Sequence, residues 1–148
     1  MKFKYSTAST ISGPLLDSRG RMVKRPILWL ALHSADGGAI DVPAVIDSGA
    51  DTTTLNIQYA EAQGIELDNT KPRIIMGVGK GQVPVYMGMF PFKIKEMDIH
   101  MEVPAWYVDS ENVNILLGRE QFFETFRIKF EQDHDTFEVV SAPKLSKK

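Results

Sequence analysis

The chain has 148 residues, of which 43% are hydrophobic, and its formal net charge is −2. This length and composition predict one domain with a single hydrophobic core. The near-neutral charge and the scattered basic residues argue against a nucleic-acid-binding protein, and the absence of cysteine excludes disulfides and thiolate metal sites.

No segment of the sequence has the features of an export signal, a membrane span or a metal site. Residues 1–10 lack the apolar core of a signal peptide, and the most apolar early segment, Ile27–Leu32, is too short to cross a bilayer. The histidines lack the spacing of metal ligands and stand at His33, His100 and His134. We therefore expect a soluble, cytoplasmic protein that needs no cofactor and has neither a membrane nor a nucleic acid as partner.

The beginning of the chain predicts short strands joined by turns. Residues 1–21 are polar and interrupted by glycine and proline, so we expect an N-terminal arm, an edge strand or a removable leader. Residues 22–33 favour an extended strand, which Pro26 restricts to an edge position or to the start of the strand. The paired glycines of Ala35–Gly38 predict a hairpin turn, and Ala39–Ile46 is the expected return strand.

The middle of the chain predicts one helix followed by further strands. Thr52–Leu55 is expected to be extended, and Asn56–Gln63 to form a short helix that stops at Gly64. The residues expected on its core-facing side are Leu55, Tyr59 and Ala62. Further strands are expected at Lys71–Met76, Val83–Ile94 and Asp98–Val108.

The end of the chain completes the predicted domain. Asn114–Leu117 is expected to be a buried strand that ends at Gly118 and is followed by a short helix through Phe123. A closing hairpin is expected next, with strands at Arg127–Glu131 and Thr136–Val140. Many short strands with one or two short helices predict an all-β, barrel-like domain over residues 22–141, followed by a flexible basic tail at 142–148.

The most informative stretch is the one in which an apolar strand ends at Asp47 and a tight polar turn follows. Ser48 supplies a hydroxyl and Gly49 a flexible backbone, which suits a turn that orients side chains. A plain alternative stays open, in which the carboxylate of Asp47 only bonds its own backbone in a strand-ending loop.

Two kinds of phosphate chemistry fit this stretch less well. A haloacid-dehalogenase-type phosphatase needs a second aspartate two residues after the first, and that position is Gly49. The phosphate loop of actin and Hsp70-like proteins belongs to a fold with two large lobes, for which this chain is too short.

Three separated motifs resemble the retropepsin-like aspartic proteases, and in particular their single-domain prokaryotic members. They are Asp47–Asp51 after its apolar strand, the glycine-rich segment Gly77–Gly81, and Ile115–Arg119. The resemblance covers Arg25–Val140, most of the chain. It implies a closed all-β barrel and an endopeptidase whose glycine-rich hairpin is a flap that closes over an extended peptide.

Only one half of such an active site is present in the sequence. Metal-free peptide hydrolysis in this family uses two carboxylates that share one proton, one as base and one as acid. Asp-Ser-Gly occurs once, because the other Asp-Ser pairs, Asp17-Ser18 and Asp109-Ser110, are followed by arginine and glutamate. The resemblance therefore implies a symmetric homodimer in which two copies of Asp47 meet at a two-fold axis.

The resemblance assigns a role to each matching residue. Asp47 would be the catalytic carboxylate, Ser48 would donate a hydrogen bond across the dimer axis, and Gly49 would present its N–H to Asp47. Asp51 would form an ion pair with Arg119. The residues implied in substrate binding are Asp51, Met76, Gly77, Val78, Gly79, Lys80 and Gly81.

Some features depart from the family pattern or leave alternatives open. Glu120 follows Arg119 where retroviral enzymes usually carry aspartate or asparagine, a departure that puts nothing catalytic in doubt. Residues 1–21 have no obvious retroviral counterpart, so self-cleavage of a precursor at this segment is one alternative. Another is a non-catalytic, dimeric peptide-binding or scaffolding module that keeps the protease fold.

Overall fold

A computed structural model describes residues 1–10, 12–67, 73–76, 82–110 and 113–143, and for residues 73–76 and 82 it describes only the backbone. The strands are β1 (Lys2–Lys4), β2 (Ser6–Thr7), β3 (Ser9–Thr10), β4 (Gly13–Pro14), β5 (Lys24–Arg25), β6 (Ile27–His33), β7 (Ala39–Ile46), β8 (Thr53–Asn56), β9 (Arg73–Met76), β10 (Gln82–Ile94), β11 (Ile99–Val108), β12 (Ile115–Leu117), β13 (Phe126–Glu131) and β14 (Thr136–Ser141). The helices are α1 (Gln58–Gln63) and α2 (Phe122–Thr125), and a 3₁₀ turn occupies Gln132–His134.

The chain forms two compact units. The larger unit is residues 28–122, and the smaller unit combines residues 1–27 with residues 123–148. The domain boundaries expected after residues 21 and 141 stay predictions.

The larger unit is built around a closed barrel of six strands. Neighbouring strands follow the order β11-β8-β12-β7-β6-β10, and the pairing of β10 with β11 closes the ring. β9 pairs with β10 outside this ring. The predicted all-β closed barrel with two short helices is therefore confirmed.

Strand β7 shows why these residues form the barrel wall. Val42, Ala44 and Ile46 are buried, whereas the alternate residues between them are at least partly exposed. This period of two places every second side chain in the core, as expected for a strand with one buried face. The predicted hairpin turn before β7 is also confirmed, because Ser34 N donates to Gly38 O at 2.8 Å and Gly37 has φ +93°.

Helix α1 begins two residues later than predicted. Asn56 ends strand β8, and its side chain accepts a bond from Gln58 N and donates one to Ser110 O. Because the helix starts later, its buried residue is Ala60, whereas Tyr59 and Ala62 are only partly covered. The helix ends as predicted at Gly64, whose φ of +68° glycine adopts easily. Neither helix in the described part of the chain has the length and apolar character that a membrane span needs.

The longest pairing in the barrel joins β10 and β11, and it is tightly packed. A Cβ at Gly88 would lie 2.8 Å from Cδ2 of Leu67 and 3.3 Å from Cε2 of Tyr107, so a larger residue at this position on β10 would require these side chains to shift. Tyr107 on β11 is fully buried and donates its hydroxyl to Met89 O at 2.9 Å. Burial raises the pKa of Tyr107, because the ionised phenolate would lose its hydration.

The smaller unit contains a three-stranded sheet in the order β1-β14-β13. Phe3 stacks on Phe137 with ring centroids 5.1 Å apart, and the amino group of Met1 donates to Val139 O at 2.7 Å. The short pairs β2–β5 and β3–β4 complete the described strands of this unit. Strand β1 lies at the edge of this sheet, and the N-terminal arm or removable leader expected over residues 1–21 stays a prediction.

Candidate active site

The end of strand β7 places Asp47 beside the end of strand β12. These strands run parallel, with Ala44 opposite Ile115 and Ile46 opposite Leu117. The pairing extends one residue further, because Asp47 N donates to Leu117 O at 3.0 Å. Asp47 therefore leaves the barrel at a point where its backbone is still held by a neighbouring strand.

The turn after Asp47 holds one oxygen of its carboxylate. Gly49 N donates to Asp47 Oδ1 at 2.9 Å, while Oδ2 accepts no hydrogen bond from the residues that the structure describes. Asp47 is half-buried, and Ser48 and Gly49 are exposed. The contact with Gly49 is expected both for a catalytic aspartate and for a plain strand-ending turn, so it does not distinguish the two interpretations.

Residues 117–120 run alongside this turn and hold it through backbone bonds. Arg119 N donates to Ala50 O at 2.8 Å, and Glu120 N donates to Asp51 O at 2.9 Å. At Gly118 the two segments approach so closely that a Cβ would lie 2.5 Å from the carbonyl carbon of Thr52. Glycine is therefore required at this position by the closeness of the two backbones.

A fully buried threonine also supports the turn, and the sequence analysis missed it. Thr53 has no exposed surface, and its Oγ1 accepts the N–H of Gly118 at 3.1 Å. Buried backbone N–H groups need a partner, and here a side chain supplies it. No local signal marks Thr53, because it stands between two other threonines, Thr52 and Thr54.

The predicted ion pair is present in the geometry, and it is exposed in the single chain. Arg119 Nη2 contacts Asp51 Oδ1, and the two side chains are 60% and 82% exposed. Exposed ion pairs contribute about 0–1 kcal/mol to stability, far less than the ~3–5 kcal/mol at stake when one partner of a buried pair is lost. In one isolated chain this pair orients the loop more than it stabilises the fold.

A second side-chain link lies one residue further along both segments. Thr52 Oγ1 donates to Glu120 Oε2 at 3.1 Å. This contact could not be predicted from the sequence, because the short-range pattern around Glu120 offers no reason for it to meet Thr52.

The residues predicted to form the flap are only partly described. Gly77, Val78, Gly79, Lys80 and Gly81 lie outside the described residues, and Met76 ends β9 with its side chain not described. On either side of this segment, β9 and β10 pair antiparallel from Gln82 opposite Met76 to Val85 opposite Arg73. Among the residues that are described, no group of three or more acidic or histidine side chains suits a metal ion.

Comparisons with known proteins agree on the family and the fold. A family model described as aspartyl protease matches residues 34–121. A search of curated protein sequences gave no significant match.

Two solved structures are similar over most of the chain. The retroviral protease-like domain of Ddi1 from Leishmania major has a TM-score of 0.57 and 16% identity, covering 84% of this chain and 98% of that one. A retropepsin-like aspartic protease from Rickettsia conorii has a TM-score of 0.55 and 13% identity, covering 95% of this chain and 98% of that one. At such identities the likeness concerns the fold, and it confirms the predicted retropepsin-like barrel.

Proposed function

Because this chain belongs to the aspartyl protease family, we propose that it is an endopeptidase that hydrolyses peptide bonds as a symmetric homodimer. The observation that carries the proposal is the half-buried Asp47, placed at the end of a barrel strand with one carboxylate oxygen bound by Gly49 N and the other available. One chain supplies one such turn. The complete site therefore needs Asp47 of the partner subunit.

Two carboxylates across a two-fold axis can perform both proton transfers of peptide hydrolysis. Like charges held close together do not ionise equally, so the pair retains one proton. The ionised carboxylate takes a proton from water as the water oxygen bonds to the carbonyl carbon, and the protonated one donates to the carbonyl oxygen. When the C–N bond breaks, a proton passes to the leaving nitrogen, which yields a carboxylic acid and an amine.

The neighbours of Asp47 have supporting roles in this proposal. Gly49 N–H orients the carboxylate of Asp47, because it donates a hydrogen bond to Oδ1 at 2.9 Å. Ser48 is exposed at the turn, which suits a hydroxyl that bonds across the dimer axis. The ion pair of Asp51 with Arg119 fixes the end of the loop, and Asp51 is exposed enough to contact the substrate backbone as well.

We also keep the sequence-based proposal that Met76 and Gly77–Gly81 contact the substrate. The paired strands β9 and β10 support it, because they end on either side of that segment. An extended peptide can add to such backbone as a further strand, and its side chains then alternate between two faces. The expected substrate is therefore an unfolded or extended segment of a protein.

The test is cleavage of a diverse peptide library between pH 4 and 7 by the wild-type protein and by Asp47→Asn, which keeps the size of the side chain. We expect cleavage only by the wild type, with specific activity that rises with protein concentration as dimers form. Asp109→Asn is the matched control. Asp109 is also an aspartate of the larger unit that is followed by serine, and its side chain is exposed. The activity of Asp109→Asn should equal that of the wild type.

Mixing the two proteins separates this chain's activity from that of a contaminating protease. Excess Asp47→Asn should lower wild-type activity, because mixed dimers hold only one carboxylate, whereas a contaminant would be unaffected. Tight peptide binding by both proteins without cleavage would contradict the endopeptidase and favour the non-catalytic peptide-binding module.

A further inference from the structure

Two successive side-chain links join the loop that follows Asp47 to the segment that follows β12. Asp51 contacts Arg119, and Thr52 donates to Glu120 one residue further along each segment. Two backbone hydrogen bonds join the same segments, from Arg119 N to Ala50 O and from Glu120 N to Asp51 O. The Thr52–Glu120 contact is thus the last connection before the loop enters strand β8.

The main chain of Thr52 lies directly against the segment that follows β12. A Cβ on Gly118 would lie 2.5 Å from the carbonyl carbon of Thr52. The carbonyl oxygen of Thr52 accepts a hydrogen bond from the hydroxyl of Thr54 at 3.2 Å. The main chain at Thr52 therefore cannot move toward the neighbouring segment. Movement away from it is opposed by the side-chain hydrogen bond to Glu120.

The neighbouring charged groups do not compete with Thr52 for the carboxylate of Glu120 in the described part of this loop and the adjoining segment. The charged groups of this loop and the adjoining segment, in the described part of the larger unit, are Asp47, Asp51 and Arg119. Arg119 is bound to Asp51, so no cation competes for Glu120 within this group. A hydroxyl that donates to an ionised carboxylate forms a stronger hydrogen bond than one that donates to a neutral acceptor.

From this geometry we propose that Glu120 is a positioning residue, which acts through the hydroxyl of Thr52 to hold the loop that carries Asp47. This inference rests on the proposed function. In the dimer, Asp47 must meet Asp47 of the partner subunit in a fixed geometry, and a small displacement of the loop lowers the rate of the chemical step more than substrate binding. Protonation of Glu120 removes its negative charge and weakens the hydrogen bond from Thr52 that holds the loop.

The test compares kcat and KM of Glu120→Gln, Thr52→Val and the double variant from pH 3.5 to 7, with one peptide that the wild type cleaves. At pH 7 we expect each single variant to lower kcat about threefold to tenfold with little change in KM. The double variant should be no slower than either single variant, since both remove the same contact. Thr52→Ser keeps the hydroxyl and should restore wild-type kcat.

The pH profile separates positioning from a purely structural role. The deficit of Glu120→Gln should shrink as the pH falls, because a protonated carboxyl and an amide are both neutral acceptors. Glu61→Gln, an exposed glutamate on helix α1, is the matched control and should leave kcat unchanged at every pH. A deficit that is the same at all pH values, additive losses, or a change in KM alone would overturn the proposal.

Thermal unfolding of the same variants distinguishes this inference from the proposed function. If the wild type cleaves no peptide, the proposed function fails, and the link can still be tested from the melting temperatures of the two single variants and the double variant. Non-additive shifts at pH 7 that become additive at low pH would support the link. Additive shifts at both pH values would overturn it.

Discussion

Strand β7 begins and ends at turns that have the same local chemistry but different surroundings. In the turn before the strand, Gly38 N donates to Asp36 Oδ1 at 2.9 Å, and in the turn after it, Gly49 N donates to Asp47 Oδ1 at the same distance. The first turn is an exposed hairpin with one backbone bond to a distant residue, from Ala35 N to Ala62 O at 2.9 Å. The second is held by residues 117–120 through Leu117 O, the N–H groups of Arg119 and Glu120, and two side-chain contacts.

The comparison shows that an aspartate in a glycine turn does not by itself identify a site. What separates Asp47 from Asp36 is how firmly a distant segment holds the turn: one backbone bond at Ala35, against backbone bonds at Asp47, Ala50 and Asp51 together with two side-chain contacts. A catalytic carboxylate must be held in place to function, whereas a hairpin turn only has to reverse the chain. Changes at the distant segment should therefore affect the two turns very differently.

The largest expected effect is that of Gly118→Ala. Its Cβ would overlap the backbone of Thr52, which side-chain rotation cannot relieve. We expect a loss of about 3 kcal/mol in the free energy of unfolding and complete loss of peptide cleavage. Gly38→Ala is the matched control, because its Cβ would meet only the side-chain oxygen of Asp36 at 3.2 Å.

Chemical denaturation of both variants checks this prediction. Gly38→Ala should cost about 1 kcal/mol or less and leave cleavage intact. Equal losses of stability in the two variants would contradict the expectation that the turn after Asp47 depends on close backbone packing and the hairpin turn does not.

A smaller effect is expected for Thr53→Val, which keeps the shape of the side chain and removes its oxygen. Gly118 N–H would then be buried without a partner, at a cost of about 1–3 kcal/mol. Thr54→Val is the control, since Thr54 is only half-buried and its hydroxyl donates to a carbonyl. In urea denaturation, the midpoint concentration of Thr53→Val should be well below that of Thr54→Val. Similar midpoints would count against a buried hydrogen bond between Gly118 and Thr53.

The smallest effect concerns pH and the hairpin turn. The backbone N–H of Gly38 and, to a lesser extent, the hydroxyl of Ser34 hold the pKa of Asp36 below its usual range. A lowered pKa in the folded state adds stability above the unfolded pKa of about 3.9, and this stability disappears as the pH falls through the folded pKa.

Asp36→Asn should therefore melt slightly below the wild type at pH 7 and at the same temperature near pH 2, with peptide cleavage unchanged. Differential scanning calorimetry at the two pH values measures the difference in melting temperature between the wild type and Asp36→Asn. A difference that persists at low pH would show that the carboxylate charge is not its cause.

The sequence is sufficient for the features that depend on local chemistry. The turn at Ala35–Gly38, the strand that ends at Asp47 and the helix stop at Gly64 all follow from glycine, aspartate and apolar alternation in short windows. The closed barrel followed from the family resemblance, which the fold of the larger unit confirms.

Other features depend on contacts between distant segments and were not visible. The bond from Gly118 to Thr53 and the link from Thr52 to Glu120 arise from the packing of β7, β8 and β12, which has no short-range signature. The late start of helix α1 has a similar cause, because pairing with β11 keeps Asn56 in strand β8. The catalytic and substrate-binding roles of Asp47, Ser48, Gly49, Asp51, Met76 and Gly77–Gly81 all stay predictions.

The parallel pairing of β7 with β12 also has a consequence during synthesis. The ribosome produces the chain from its N-terminus, and Arg119 follows Asp51 by 68 residues. A nascent chain that has exposed Asp47 therefore has no second segment to hold the turn until most of the larger unit has been made. Folding thus delays the appearance of an ordered turn at Asp47 until the larger unit is nearly complete.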